Sequence, residues 1–464
     1  MPKNRKYPTL YVKNFAKIKE AEIELAPFTL FIGDNNSGKS YLASLIWYIQ
    51  NSDFINKFYD YKYYKDFKLL NNLLDSILNN YNFEMEINNN FIDEFITVIN
   101  KIFSKNKNKI TEELFNHKSI NIEKLYFTSG NVNYDNKITI KSNISESKFE
   151  EEATIKIISI DIIYLFNKYS RYESHYSIIN SDNINTTKEK IITFIMYKIM
   201  NIIFTNFYDI LFLPVARTGL VLLKDIVINK AVNNYFEDKT SEEKNTIRLT
   251  MPVKDFFYKL SALKRKNIEN KIIKFIENNI TKGKIYLDNM PLPQVHYKNN
   301  NSDIDFQMHV SSAVITELTP LILFLKYSKI ENIIMEEPEI SLHPYLQQQL
   351  TRVFIKLVNS GKNVLITTHS DTIVQHINNM IKLNANEKKR QKKLMEKYKY
   401  DEDDIISEDK IRMYQFDVKE DGTEVKALES SKYGFEAPTF HKYLVEISKE
   451  FDDFIENIGE NNSI

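Results

Sequence analysis

Gly33-Asp34-Asn35-Asn36-Ser37-Gly38-Lys39-Ser40 decides how this chain is read. An apolar run, Phe28-Thr29-Leu30-Phe31-Ile32, precedes it. Tyr41-Leu42-Ala43-Ser44-Leu45-Ile46-Trp47-Tyr48-Ile49 follows, with Leu42, Leu45, Ile46 and Ile49 at helical spacing. Strand, glycine loop and helix form the context that a phosphate-binding P-loop requires. Glycines let backbone N–H groups turn inward around phosphates, and the helix N-terminus adds positive potential. The nucleotide-binding set read from this stretch is Gly33, Asn35, Asn36, Ser37, Gly38, Lys39, Ser40 and Tyr41. Lys39 is placed to reach the β- and γ-phosphates and Ser40 to hold Mg²⁺. With only 9 Gly in the chain, two at these positions are informative.

At 464 residues, the chain has room for two or three domains, or one large domain with insertions. Lys+Arg and Asp+Glu both number 62, so net charge gives no global pull toward nucleic acid. Cysteine is absent, which excludes disulfides and cysteine-ligated zinc. No apolar run reaches membrane-spanning length, and Met1 to Lys6 lacks a signal-peptide core. The expectation is a cytoplasmic bacterial protein without a membrane partner.

Outward from the loop, residues 9–25 read as two strands. Residues 54–117 carry helical runs, residues 124–165 read as strands that extend the head's β-lobe, and residues 187–206 as a helix. Ile210 to Leu213 reads as a strand ending in a tight turn at Pro214-Val215-Ala216-Arg217-Thr218-Gly219. A mostly helical block spans about 220–282, and an apolar helix runs from Ala313 through Leu325. Ile333-Ile334-Met335-Glu336-Glu337 is a buried strand ending in two carboxylates. A helix beginning after Pro344 leads to Gly361 and to a second buried strand, Val364 to Thr368, which stops at His369. Strand, helix, strand implies a parallel sheet with a right-handed crossover. A hairpin over 411–428 and a closing helix over about 439–458 complete the chain.

Apolar strands ending in acids, downstream of a P-loop, are where Mg²⁺ and the attacking water are managed. Glu336 takes the metal-proximal position and Glu337 is placed to orient or deprotonate the water. His369, at the end of the adjacent strand, is placed to sense the γ-phosphate. Lys39, Glu337 and His369 are therefore the catalytic candidates, with Ser40 and Glu336 on the metal.

The pattern resembles the ATP-binding-cassette ATPase heads of the SMC/RecF type, in the branch of AAA-family ATPases that includes OLD-like and phage-defence proteins. The pieces that carry it are "LYVKNFAKIKEAEIELAPFTLFIGDNNSGKS", "FLPVARTGL", "VSSAVITELTPLILFLKY", "NIIMEEPEISLHP" and "VLITTHS". The resemblance implies an α/β fold, a P-loop NTPase of the ABC-ATPase head type. It has a mixed β-lobe plus a parallel sheet, with helical insertions. The division expected is an N-terminal lobe over 1–50, an inserted block over 51–205, an ATPase core over 206–220 and 300–464, and a helical sub-domain over 221–299. The resemblance also implies two heads sandwiching two ATP molecules, each between one P-loop and a signature serine of the partner. Ser311 takes that serine's place. The usual signature glycines are Ser312 and Ala313 here, Glu336 stands where many relatives carry Asp, and no Gln lies between Gln50 and Gln294.

The function expected is an ATP-hydrolysing, dimerising switch in phage defence or DNA surveillance, acting with a separate effector; the helical part at 54–117 docks that effector or a second head. The alternative is an OLD-like ATP-dependent nuclease, or a DNA repair ATPase. A TOPRIM nuclease domain needs a strand-end Glu and an Asp-x-Asp, and Asp401-Glu402-Asp403-Asp404 lacks a preceding apolar strand and reads as a solvated turn. Lys388-Lys389-Arg390-Gln391-Lys392-Lys393 makes DNA a candidate partner, against the simpler reading of a solvated helix end.

Overall fold

Strand β3 (Phe28–Gly33) is buried on both faces, as a run of five apolar or β-branched residues requires. Its side chains alternate: Phe28, Leu30 and Ile32 enter one core, Phe31 the other. The computed structural model describes residues 6–51, 67–130, 138–149, 153–167, 170–179, 184–203, 210–223, 249–265, 270–290, 293–302, 304–437 and 445–455. Parts of the helices expected over 54–117, 220–282 and 439–458 lie outside these residues.

β3 sits inside a nine-stranded sheet of order β5-β1-β2-β16-β15-β3-β14-β13-β9. β9 (Ile210–Leu213), β13 (Asn332–Glu336), β14 (Asn363–Thr368), β3 and β15 (Ile411–Lys419) are mutually parallel. β16 (Gly422–Ala427) turns back antiparallel on β15 and passes the sheet to β2 (Ile18–Glu24), β1 (Thr9–Phe15) and β5 (Lys124–Thr128). This is the α/β fold expected: a parallel core sheet continued by a mixed β-lobe, with helices on both faces and insertions between them.

One face is covered by α1 (Lys39–Ile49), which is buried from Leu42 through Ile49. That all-round burial arises because α3 (Asn89–Phe115) covers its outer side, with Phe91, Phe95, Ile99 and Phe103 in the same apolar cluster. The opposite face carries α8 (Ala313–Tyr327), α9 (Pro344–Asn359) and α10 (Asp371–Asn384).

Three expectations need correction. Among the strands expected over 124–165, only β5 joins the β-lobe. β6 (Ile138–Phe149), β7 (Ala153–Asn167) and β8 (Ser170–Ile179) form a separate four-stranded antiparallel sheet with β4 (Asn82–Ile87). β4 itself interrupts the stretch expected to be helical between α2 (Lys68–Asn79) and α3; Phe83, Glu84, Met85 and Glu86 alternate with the strand period of two. This sheet packs beside α2, α3 and α4 (Ile184–Ile203), and its buried Ile138, Ile140, Ile158 and Ile160 belong to the same cluster as α1.

The third correction concerns Asp401 to Asp404. Asp404 is fully buried, not solvated. Its carboxylate accepts from Arg352 Nε at 3.0 Å and Nη2 at 2.7 Å, a bidentate fork, and lies 3.0 Å from Lys356 Nζ. Burial works against its charge, but these bonds outweigh it and hold its pKa below the usual carboxylate range. The Arg352 guanidinium also stacks over Phe275 and Tyr400. Next to it His376 is 3% exposed, with Nε2 lacking a hydrogen-bond partner.

Burial, reinforced by the Arg352 charge, pushes the His376 pKa down to about 4. An unfolded histidine titrates near ~6.5, so between these values the unfolded state binds the extra proton. Stability present above pH ~6.5 is therefore lost as pH falls through this window, with a limiting slope of ~1.4 kcal/mol per pH unit. Urea unfolding from pH 7 to pH 5 should show a steeper decline for the native chain than for His376→Gln. Parallel declines would contradict the assignment.

Candidate nucleotide-binding site

Because β3, β13, β14 and β9 are parallel, their C-terminal ends open on one edge of the sheet, the usual place for a ligand crevice. β3 ends at Gly33, whose φ of 126° lies in a region that favours glycine. A Cβ there would lie 2.3 Å from the Phe416 carbonyl oxygen, so β15 itself closes the space. Gly38, at φ 96°, caps α1 without a side-chain hydrogen bond, leaving the first helical N–H groups directed into the loop. Asn36 also takes positive φ, and Asn35 and Asn36 are exposed, while Ser37 is buried.

Lys39 is 5% exposed. Its Nζ donates to the carbonyls of Gly33 at 3.1 Å and Asp34 at 2.6 Å and to Ser37 Oγ at 3.2 Å. Burial lowers its pKa to about 8, against the opposing fields of Glu337, Asp34 and Glu339. A buried ammonium held by neutral oxygens, at the N-terminus of a helix, fits an anionic phosphate chain.

The Ser40 hydroxyl faces the Glu336 carboxylate, which accepts from the Val215 N–H at 3.3 Å. Burial raises the Glu336 pKa despite these contacts. A serine hydroxyl paired with a carboxylate is an oxygen donor set suited to Mg²⁺, so the residues fit that ion. Glu337 follows β13 at φ 41°, a left-handed conformation uncommon for this residue type. Its N–H donates to the Thr367 carbonyl at 2.8 Å, and its Oε1 stands 3.6 Å from His369 Nε2. Burial and the Lys39 charge lower the His369 pKa, and the Glu337 carboxylate opposes them. Lys39, Ser40, Glu336, Glu337 and His369 are thus brought to one edge of the sheet.

Two residues outside the candidate catalytic and binding sets complete the site. Glu339 accepts from the His369 N–H at 2.6 Å while its Oε2 is buried without a hydrogen-bond partner. Burial raises its pKa. Arg217, on α5 (Arg217–Leu222), is fully buried. It donates to the carbonyls of Pro214, Glu336, Glu337 and Glu317, and its Nε lies 2.9 Å from Glu317 Oε2. Thr218 Oγ1 donates to Glu317 Oε1 at 2.5 Å. The signal was present in the run Pro214 to Gly219: an arginine just after a buried strand has to find carbonyls or carboxylates.

Tyr41 and Ser311 stand apart from this group. The Tyr41 ring packs against Phe15 and Phe115, with centroids 6.4 and 5.0 Å away. Ser311 precedes α8 and its Oγ donates to the Gln307 carbonyl at 3.4 Å. Among the described residues, no helix is long and apolar enough to cross a membrane.

A family profile described as an AAA ATPase domain matches residues 8–374. Among curated proteins, the Protein DOP1 homolog of Plasmodium falciparum is 31% identical over 103 residues, which is 21% of this chain and 2% of that protein. Such a span brings no activity across. The solved SMC head domain from Thermotoga maritima is similar at 11% identity over 92% of this chain and 99% of that one, with a TM-score of 0.33. The Smc head domain with an extended coiled coil bound to the C-terminal domain of ScpA, from Pyrococcus furiosus, is similar at 12% identity over 95% and 99%, with a TM-score of 0.36. TM-scores this low carry no inference about partner or activity. The profile match, covering well over half of the chain and including the loop, both strand-end acids and His369, is decisive: this chain belongs to the AAA ATPase domain family.

Proposed function

We propose that the chain binds ATP with Mg²⁺ at the edge where β3, β13 and β14 end, and hydrolyses it to ADP and phosphate. The observation that carries this reading is the arrangement of three groups: the buried Lys39 ammonium, the Ser40–Glu336 pair, and Glu337 beside His369. Lys39 exchanges its carbonyl partners for phosphate oxygens, which favour its charged form. Bound between Ser40 and Glu336, Mg²⁺ would offset phosphate charge. Glu337 Oε1 accepts a proton from the water that attacks the γ-phosphorus, as the bond to the bridging oxygen of ADP breaks. His369 holds that carboxylate in place and reports the γ-phosphate to β14.

The N-terminus of α8 supplies the second half of the proposed site, in trans. Its N-cap Ser312 makes no side-chain capping bond, so its first N–H groups are open to a partner's γ-phosphate, and Ser311 would turn its hydroxyl from the Gln307 carbonyl to join them. The cycle is then a dimerising switch. The sheet of β4, β6, β7 and β8, with α2 to α4, is carried between α1 and β9 and moves with the head. A separate effector docked on that insertion, in antiviral defence or DNA surveillance, is the biological setting this reading favours; the resemblance in the motifs supports it.

Lys39→Ala should abolish ATP binding in a fluorescent-nucleotide titration, because the phosphates lose their buried cation; unchanged affinity would contradict the site. Glu337→Gln should keep binding and lower turnover ~10²-fold or more. Native turnover in that variant would move the base to Glu336 or Glu339. Arg217→Lys keeps the charge but cannot span the carbonyls of Pro214, Glu336 and Glu337. It should reduce kcat by ~10-fold or more with little change in nucleotide affinity, because a small displacement of the strand end misaligns Glu337. Equal kcat in the two proteins would show that Arg217 does not position the acids.

A further inference from the structure

The helix over 445–455 carries Ile447, Phe451, Phe454 and Ile455 at helical spacing, and each is between 52% and 62% exposed. Its other residues include Glu446, Glu450, Asp452 and Asp453 against a single cation, Lys449. An exposed apolar stripe beside an acidic face is the pattern of a helix that binds a groove.

A groove of matching character lies between α10 and α11 (Lys388–Tyr398), with a volume of about 360 Å³. Met380, Leu383, Leu394, Tyr398 and Tyr400 line it. Lys382 of α10 lines it, and α11 is basic over its length, with Lys388, Lys389, Arg390, Lys392, Lys393 and Lys397, none of them buried. Apolar floor meets apolar stripe, and a basic surround meets an acidic helix. A nucleic acid backbone would satisfy the cations but not the floor.

The chain reaches this region on its own account. Asn378 of α10 brackets Phe435, donating to its carbonyl at 2.9 Å and accepting from its N–H at 2.8 Å. Seven residues separate Ala437 from Val445. On its own chain every residue from 445 to 455 is exposed, and the groove is open.

We propose that the helix over 445–455 of one copy seats its Ile447–Phe451–Ile455 stripe in the α10–α11 groove of a second copy, and that the exchange is reciprocal. Reciprocity doubles the buried area, as a two-fold interface does. This contact needs no nucleotide, so it is separable from the proposed ATP-dependent pairing through Ser311.

The chain contains no cysteine, so introduced cysteines report the contact cleanly. A full-length Phe451→Cys chain is mixed with a full-length Tyr398→Cys chain, without nucleotide, under mild oxidation. The expected result is a disulfide-linked heterodimer. Adding Lys382→Glu and Arg390→Glu to the Tyr398→Cys chain should lower its yield about tenfold or more. Adding Glu450→Lys and Asp452→Lys to the Phe451→Cys chain should then restore it, and that rescue would not follow from misfolding. Absence of the heterodimer would overturn the proposal. So would a Phe451→Cys/Tyr398→Cys chain that closes its disulfide internally as a monomer, or a link indifferent to both charge reversals. Protection of Tyr398→Cys from alkylation by duplex DNA, with no heterodimer, would assign the basic surround to nucleic acid instead.

Discussion

The guanidinium of Arg217 is the contact on which the site depends. It is fully buried, and it ties the turn after β9 to the end of β13 and to Glu317 on α8. Burial pushes its pKa down, and the Glu317 carboxylate opposes that. A buried cation without such partners would be severely destabilising, so the three elements are held together by necessity. The constraint reaches Glu337 directly. Its carbonyl accepts from Arg217 while its N–H is fixed on Thr367 of β14, and between these anchors its φ is 41°. A non-glycine residue stays in that conformation only when its surroundings over-determine it. Its carboxylate lies 3.6 Å from His369 Nε2.

The electrostatics follow from the same geometry. Glu336, Glu337 and Glu339 crowd one strand end, and burial raises the pKa of the first and third. Lys39 and His369 face them, both with lowered pKa, and burial is the leading cause in each. Glu336, Glu339, Lys39 and His369 are thus pushed toward their neutral forms. Sites with groups displaced in this way are where ligand charge has most to offer, because phosphates and a divalent cation reverse each displacement. The orphaned Oε2 of Glu339 belongs to the same picture.

Much of this was legible in the sequence, for local reasons. A P-loop is written in contiguous residues, and so are strand ends such as Met335-Glu336-Glu337 and Thr367-Thr368-His369; their backbone context determines where the side chains go. What escaped was non-local. The partners of Arg217 and Asp404 lie far off in sequence, Glu317 100 residues from Arg217 and Arg352 52 residues from Asp404. No window along the chain reveals such pairs. An acidic run is normally solvated, and only the pairing of Asp404 with Arg352 and Lys356 makes its burial tolerable. The Asn-rich flanks and short length of β4 resemble the loops between helices. The placement of β6 to β8 off the main sheet is a question of which edge each strand finds: β1, already paired with β2 on one side, has β5 on the other.

The central claim is that one nucleotide engages the ends of three parallel strands at once. Hydrogen–deuterium exchange on the intact protein, with and without ATP and Mg²⁺, reads that directly. The account predicts slowed exchange in three separated segments together: Gly33 to Tyr41, Glu336 to Ser341, and His369 to Ser370. Protection confined to the loop, or absent from all three while nucleotide is bound, would contradict it.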